Sequence, residues 1–445
     1  MLGPVKRRES KLFYAGLNLE ERVPADHPLR RVARAIDFGF VREQVAGCYG
    51  YNGQESVDPT VILKLLFLAF FERVGSEREM MRQLPLRLDW LWFCELDLDD
   101  EIPDHSVLSK ARRRWGLEAF ERIFAHVLAQ CVKAGLVDGQ TVYADSTVLK
   151  ANAAVDSRVP RKLWAQLEGE APGLPGREDQ GDEDGAGGDD DQDAAKPRRE
   201  GKPGGADMDP QKAQLPPPPT GRFNARTVSR SDPEAATTSR RGREVKLGYR
   251  DHALVDDRRG VVLATIATAA DYDDAALLTP LLNKCQQYLQ RGPQRAVADS
   301  MYGTKSNIHM LRWRGVEPYL KRRPAKNDHR HWLDRLPEEC DPALALRLMK
   351  RRLHIAEGRF ADAHVRHEHR RCRWRGRWRV QIQCYLVAMT QNIRKLARYA
   401  RPPGGLAQGL ALPRGSCWLA WAAVCSSAIT WLLLRAWERP RMTEA

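Results

Sequence analysis

Two short stretches carry the same chemistry in the same setting. In VYADS (142–146) and AVADS (296–300), small and β-branched residues read as a strand that delivers a carboxylate, Asp145 or Asp299, at its C-terminal end with a serine immediately after. Strand ends are where open α/β sheets present ligands, because a side chain there leaves the packed core while its backbone stays rigid. If the two strands are neighbours the carboxylates converge, and two ionised groups so close repel until one is protonated or a cation holds them. With no His/Cys cluster beside them, such hard oxygen donors point to Mg2+ or Mn2+. Glu357 is the candidate third acid. In MKRRLHIAEGRFADAHVRH (349–367), helical spacing puts Lys350, Glu357 and His364 on one stripe beside Leu353 and Phe360. Two ions bridged by carboxylates would activate a water or a 3′-hydroxyl and stabilise the leaving oxygen in phosphodiester transfer. Taken singly, each Asp also suits a turn or a helix cap, and Glu357 a salt bridge.

The elements that must position these acids fall into an α/β arrangement. Residues 1–136 read as a helical N-terminal domain. Asp58 and Pro59 open an apolar helix, Ser76 can cap EREMMRQL, and Asp104 or Ser106 can cap a helix carrying Lys110, Arg112, Arg113 and Arg114. Those four bases suit either DNA contact or a solvated face. A strand, QTVYADST, follows. Pattern is then lost over 168–231, an acidic, Gly-rich and Pro-rich insertion without a packed core. It resumes as a hairpin turning at 256–260, a helix over 275–291, the AVADS strand, another helix and the short strand VEPYL. This order implies a mixed sheet flanked by helices, built from 137–167 and 232–400.

The charge balance points to a polyanionic partner. There are 72 Lys plus Arg against 58 Asp plus Glu, a net charge of +14, although REDQGDEDGAGGDDDQD lies within the insertion. Nucleic acid fits better than a membrane surface, because the bases are interleaved with Trp and His. VRHEHRRCRWRGRWRVQ sets Arg373, Arg375 and Arg377 among Trp374 and Trp378, as phosphate contacts with planar groups available to stack on bases. His367, His369 and Cys372 in the same run match no usual zinc spacing. The nine cysteines are an odd number and form no CxxC, which suits a reduced cytosolic protein without disulfides. No secretory leader opens the chain. The atypical tail, 401–445, contains the apolar run CWLAWAAVCSSAITWLLL, long enough to raise a membrane span against a buried extension.

The blocks HPLRRVARAIDF, VDPTVILKLLFLAFFERVGSEREM, IPDHSVLSKARRR, YADSTVLKANA, LGYRDHALVD, VADSMYGTKSN and GVEPYLKRR, in that order, make the chain resemble bacterial insertion-sequence transposases of the DDE class. The closing block AEGRFADAHVRHEHRRCRWRGRWRVQIQCYLVAMTQNIRKLAR extends the similarity over roughly 25–400. The branch in question has a helical N-terminal domain followed by a ribonuclease-H-like catalytic domain. The resemblance implies that Asp145, Asp299 and Glu357 are the DDE triad, binding two Mg2+ (or Mn2+) ions. It implies DNA as partner, both terminal inverted repeats and target, with a homodimer or larger synaptic assembly in the cytoplasm at the nucleoid. No small-molecule substrate or membrane partner is expected. Two departures stand out. Where such transposases carry Lys seven residues after the Glu, this chain has His364. Where they carry Arg four residues before it, the chain has Leu353, with Arg352 one position further away. Arg352, Arg359, His364 and Arg366 are the expected phosphate contacts near the cut. A derivative that binds DNA without cutting it, as a repressor or decayed copy, is the alternative reading.

Overall fold

A computed structural model describes residues 18–50, 55–170, 224, 226–238, 245–322 and 331–399. Most of the acidic insertion and the whole apolar tail lie outside the described residues. Among those described, no helix is long and apolar enough to cross a membrane, and the cysteines are free thiols.

Side-chain caps set the first helices. After α1 (Leu19–Arg22), α2 (Pro28–Ala35) and α3 (Val41–Val45) comes α4 (Pro59–Phe71), where the Asp58 carboxylate accepts from the Thr60 amide and Pro59 fills the first turn. Eleven of the thirteen residues of α4 are buried, as its almost unbroken apolar composition requires. Ser76 caps α5 (Glu77–Gln83), and α6 (Leu88–Cys94) follows. Asp104 accepts from the Ser106 amide at the start of α7 (Ser106–Lys133). Gly116, at φ 64° and ψ 179°, breaks α7 between its basic first third and its apolar remainder.

The sheet carries β1 (Thr141–Lys150), β4 (Ala236–Thr238), β5 (Lys246–Asp256), β6 (Val262–Ala269), β7 (Arg295–Ala298) and β8 (Glu317–Leu320). A separate ribbon pairs β2 (Arg158–Pro160) with β3 (Thr227–Ser229). The order is β4-β5-β1-β7-β8, with β6 also on β5; β1, β7 and β8 run parallel and the β5 pairings are antiparallel. The expected mixed sheet and its hairpin are present. The pattern-free segment is shorter than 168–231, because α8 (Arg161–Glu170) and β3 extend into it from either side. The helices that follow β6 are α9 (Leu278–Leu289), α10 (Lys305–Trp313), α11 (Pro342–Arg352), α12 (Gly358–Arg366) and α13 (Arg377–Tyr399).

Helix α13 joins the two regions. It packs against α2, α4 and α7 on one side and β6 on the other, and one hydrophobic cluster runs from Phe67 and Phe124 through Met389 to Val262. Its buried amides also finish the exposed edge of β6. Asn392 exchanges two hydrogen bonds with the Val262 backbone (2.8 and 2.9 Å), and Gln381 accepts from the Ala267 amide (2.6 Å) while donating to the Thr265 carbonyl (3.1 Å). Eleven helical steps at about 1.5 Å match five strand steps at about 3.3 Å, so the two amides fall in register with the strand. The edge is thereby closed to pairing with another chain.

Gly303 ties the loop after β7 to the end of β8. A Cβ there would stand 1.8 Å from the Lys321 carbonyl oxygen, closer than any side chain allows. Gly303→Ala is expected to cost about 1–3 kcal/mol in denaturant unfolding, the usual range for overpacking. It should also shift the loop that carries Asp299.

Candidate active site

Parallel register brings the two aspartates together. β1 and β7 pair from Thr141 with Arg295 to Ala144 with Ala298, so Asp145 and Asp299 are the next residues on adjacent strands. Asp299 does follow the last residue of its strand, but Asp145 does not: β1 continues five residues beyond it, paired with β5 as far as Lys150 and Gly248. The polar pair Ser146 and Thr147 hides this continuation in the sequence, because both are half-buried and engage other side chains. Ser146 donates to Asp274 (2.8 Å), and the Thr147 hydroxyl lies 3.3 Å from His364 Nε2. Asp145 Oδ1 accepts from the Ser146 amide (2.9 Å), and Asp299 Oδ1 accepts from the Met301 amide (2.9 Å).

Glu357 reaches the same place through an irregular helix. Between α11 and α12, Leu353–Glu357 form a π-helical turn. In a continuous α-helix a residue five positions on lies about 140° round the axis, whereas a π turn bonds residues five apart and stacks them. Arg352 therefore sits beneath Glu357. Its guanidinium donates to Glu357 Oε1 (2.9 Å) and to Asp145 Oδ2 (3.1 Å), bridging the helix to the sheet. The expected stripe of Lys350, Glu357 and His364 is broken by this turn: Leu353 is exposed while Phe360 is buried. Leu353, at the place where an arginine was expected, faces solvent, and Arg352 supplies the guanidinium instead.

Two anchors fix the helical segment on either side of Glu357. Before it, Arg351 bonds Asp257, which also accepts from the Tyr143 hydroxyl (2.6 Å). After it, Arg359 Nη1 donates to Asp251 Oδ2 (2.8 Å) in the core, where His369 Nε2 (3.0 Å) and the Thr265 hydroxyl also meet Asp251. Burial alone would raise the Asp251 carboxyl, but Arg359 and His369 overcome it and hold the group well below the usual range. Burial pushes His369 down, so at neutral pH it is an uncharged donor to Asp251. Asp251, His369 and Cys384 approach metal-ligand proximity, yet both Asp251 oxygens are already taken, and the group is an internal ion network. The His367, His369 and Cys372 set is not assembled: His367 Nδ1 donates to the Phe70 carbonyl (2.9 Å) in the helical region.

Electrostatically, the acids call for a cation. Burial pushes the Asp145 carboxyl up to about 6; Arg352 opposes this, while the charges of Asp299 and Glu357 add to it. The donors are carboxylate oxygens and a guanidinium already lies between two of them, which is the chemistry a hard divalent ion fits. Asp274, beside them, is held well below the usual range because His252 and Arg250 outweigh its burial. Sequence reasoning missed Asp274, which carried no distinctive signal, and also Arg250 and His252, whose signal was polar residues interrupting the apolar strand LGYRDHALVD.

The basic residues divide into buried and exposed sets. Arg112 is buried, bonded to Glu77 and stacked 3.9 Å over Trp374. Arg373 lies 4.0 Å over Phe70 and donates to the Ala69 carbonyl (3.0 Å). Arg359 is enclosed with Asp251, and Arg352 with the carboxylates. Arg112, Arg359 and Arg373 serve internal contacts, which corrects the expectation that they face phosphates. Trp374 likewise packs on the helical region rather than standing open to a base. His364 is driven down to about 4, chiefly by burial and then by His369 and Arg370, and so brings no positive charge at neutral pH. Lys110, Arg113, Arg114, Arg366 and Arg375 are exposed, and Arg377 is half-buried. A cleft at the end of β1 is lined by Arg73, His364, Glu368, Arg370 and Arg371, among which the three arginines are exposed; none of the three acids lines it. It shares Gly75, Asn152 and Arg373 with a second cleft between α5, the start of α7 and the 373–379 segment.

Comparison with known proteins places this arrangement. Residues 17–114 match the family model described as Transposase domain (DUF772), and residues 200–393 match that described as Transposase DDE domain. The second match contains Asp299 and Glu357 and begins after Asp145. A Burkholderia cepacia protein, named as a transposase for insertion sequence element IS402, is 30% identical over 168 residues, covering 32% of this chain and 78% of that protein. No solved structure matches the chain.

Proposed function

The chain belongs to the DDE transposases of insertion sequences, and from that premise we propose that it binds the ends of its element, cuts DNA to expose 3′-hydroxyls and joins them to target DNA. The observation that carries this reading is the meeting of Asp145, Asp299 and Glu357 from two parallel strands and one helix, with Arg352 between two of them. The three carboxylates would hold divalent ions, Mg2+ or Mn2+, whose Lewis acidity would assist the attacking and leaving oxygens. The rigid register of β1 with β7 fixes the two aspartates, and the anchors at Asp257 and Asp251 fix the helix that offers Glu357. In the cutting step a water oxygen bonds to phosphorus as the bond to the 3′-oxygen breaks. In the joining step the freed 3′-hydroxyl attacks a target phosphate and releases a target 3′-hydroxyl. Two ends must be handled together, which calls for a dimer or larger assembly.

DNA would run along the cleft beside His364. Its wall offers Arg370 and Arg371 from the segment that pairs with the end of β1, and Arg73 from the helical region. Arg73 has φ 62°, a conformation that glycine holds at less cost. Arg73→Gly should therefore leave stability unharmed while weakening DNA binding and reducing the salt slope by about 1. Reversing Arg370 and Arg371 together to Glu should lower affinity at least tenfold at low salt, roughly, and cut the slope by about 2. Titration of a fluorescent duplex across salt concentrations reads both effects.

The alternative of a DNA-binding derivative without catalysis drew on Leu353 and His364 standing where an arginine and a lysine were expected, and on the atypical tail, which lies outside the described residues. The π turn bears on the first of these alone: it brings Arg352 into contact with Glu357 and so weakens that one motive. A pre-cut duplex bearing the element's 3′-hydroxyl end, incubated with a target plasmid and Mg2+, tests the choice. Joined product is expected. Binding without joining or cutting would overturn the enzyme reading, and cutting without joining would reduce it to a nuclease.

A further inference from the structure

Arg352 stands out among the site's residues because it is a cation placed where the carboxylates need one. It is 8% exposed, its two terminal nitrogens are committed to Asp145 and Glu357, and its Nε is buried without a hydrogen-bond partner. The unpaired Nε is not itself distinctive, since Arg359 Nη2 and Arg373 Nε are also buried without a partner. What sets Arg352 apart is that both of its hydrogen bonds rest on carboxylates assigned to another ligand. The π turn is what makes this possible, since it stacks Arg352 under Glu357 where an α-helical turn would carry the side chain away.

We propose that Arg352 is a resident cation that holds Asp145 and Glu357 together in the metal-free protein and must withdraw from between them for a divalent ion to bind. This rests on the reading of the three carboxylates as a metal centre. Arg352 is then a positioning residue with two states. In one it neutralises the acids and keeps the helix against the sheet. In the other it is released from them, and a DNA phosphate oxygen gives its donors a new partner. Metal affinity in the absence of DNA is lowered by the fraction of molecules whose guanidinium lies between the carboxylates.

The test is Mn2+ binding to the full-length protein without DNA, read from the electron paramagnetic resonance signal of free Mn2+. Arg352→Gln is expected to bind Mn2+ about tenfold more tightly than wild type, the factor for a position occupied about nine-tenths of the time. Arg352→Lys, whose single ammonium cannot bridge both acids as a fork, should fall between them. Its place in that order decides the matter if the Gln variant does not fold. A merely structural role predicts unchanged or weaker binding in the variants, and either result overturns the proposal. Asp145→Asn provides the separate control. If it binds Mn2+ as wild type does, the metal-centre reading itself fails, whatever Arg352 does.

Discussion

Asp145→Asn is expected to lower strand cleavage and joining by at least about 10²–10³-fold, the loss typical of removing one group that stabilises transition-state charge. Asn is isosteric. Its amide can accept from the Ser146 backbone as Asp145 does, and the pairing of β1 with β5 and β7 involves backbone alone. The change therefore removes a charge without removing a strand. DNA binding should stay within about twofold, because phosphate contacts and chemistry are carried by different residues. Asp299→Asn and Glu357→Gln should give losses of the same order. Combining all three should cost little more than one, since groups that act as a unit are strongly non-additive. Gel separation of cut from uncut duplex, beside a binding isotherm for each variant, makes the comparison.

Asp251→Asn should be the most damaging single change to stability, at about 3–5 kcal/mol, the cost of stripping one partner from a buried ion pair. Asp251 and Arg359 are both enclosed, with side-chain exposures of 0% and 1%. An amide in place of the carboxylate leaves a buried guanidinium uncompensated. The effect depends on pH in a fixed direction. The folded carboxyl is held below its unfolded value near 3.9, so its contribution is fully present well above pH 4 and is lost as the pH falls below it. Wild type should lose stability in acid more steeply than Asp251→Asn, and the gap between them should narrow. Urea unfolding at pH 7 and at successively lower pH reads both. Because Arg359 lies two residues after Glu357, the variant should also lose cleavage at temperatures where it remains folded.

Part of this was legible in the sequence. VYADS and AVADS read as strands with matched acids, and whether they are neighbours, which the sequence left as a condition, is settled by the parallel pairing of β1 with β7. The extent of β1 beyond Asp145 was not legible, since polar Ser146 and Thr147 have their partners on distant elements, Asp274 and His364. The role of each arginine was hidden for the same reason. Arg112 meets Glu77 across 35 residues and Arg359 meets Asp251 across 108. A dense run of charge says nothing of which members are spent inside the protein. Helical spacing put Glu357 on a regular helical stripe and could not foresee the π turn, which brings Arg352 to Glu357 and to Asp145 on another element.

The claim that Asp145, Asp299 and Glu357 form one metal centre can be read from the polypeptide itself. Fe2+ supplied in place of Mg2+, with ascorbate and peroxide, generates hydroxyl radicals that cut backbone beside the bound ion, and the fragments are mapped by mass spectrometry. Cuts are expected next to residues 145, 299 and 357 together, all three disappearing in Asp145→Asn. Cuts confined to the histidine-rich stretch 364–372, or a pattern unaltered by Asp145→Asn, would contradict the account.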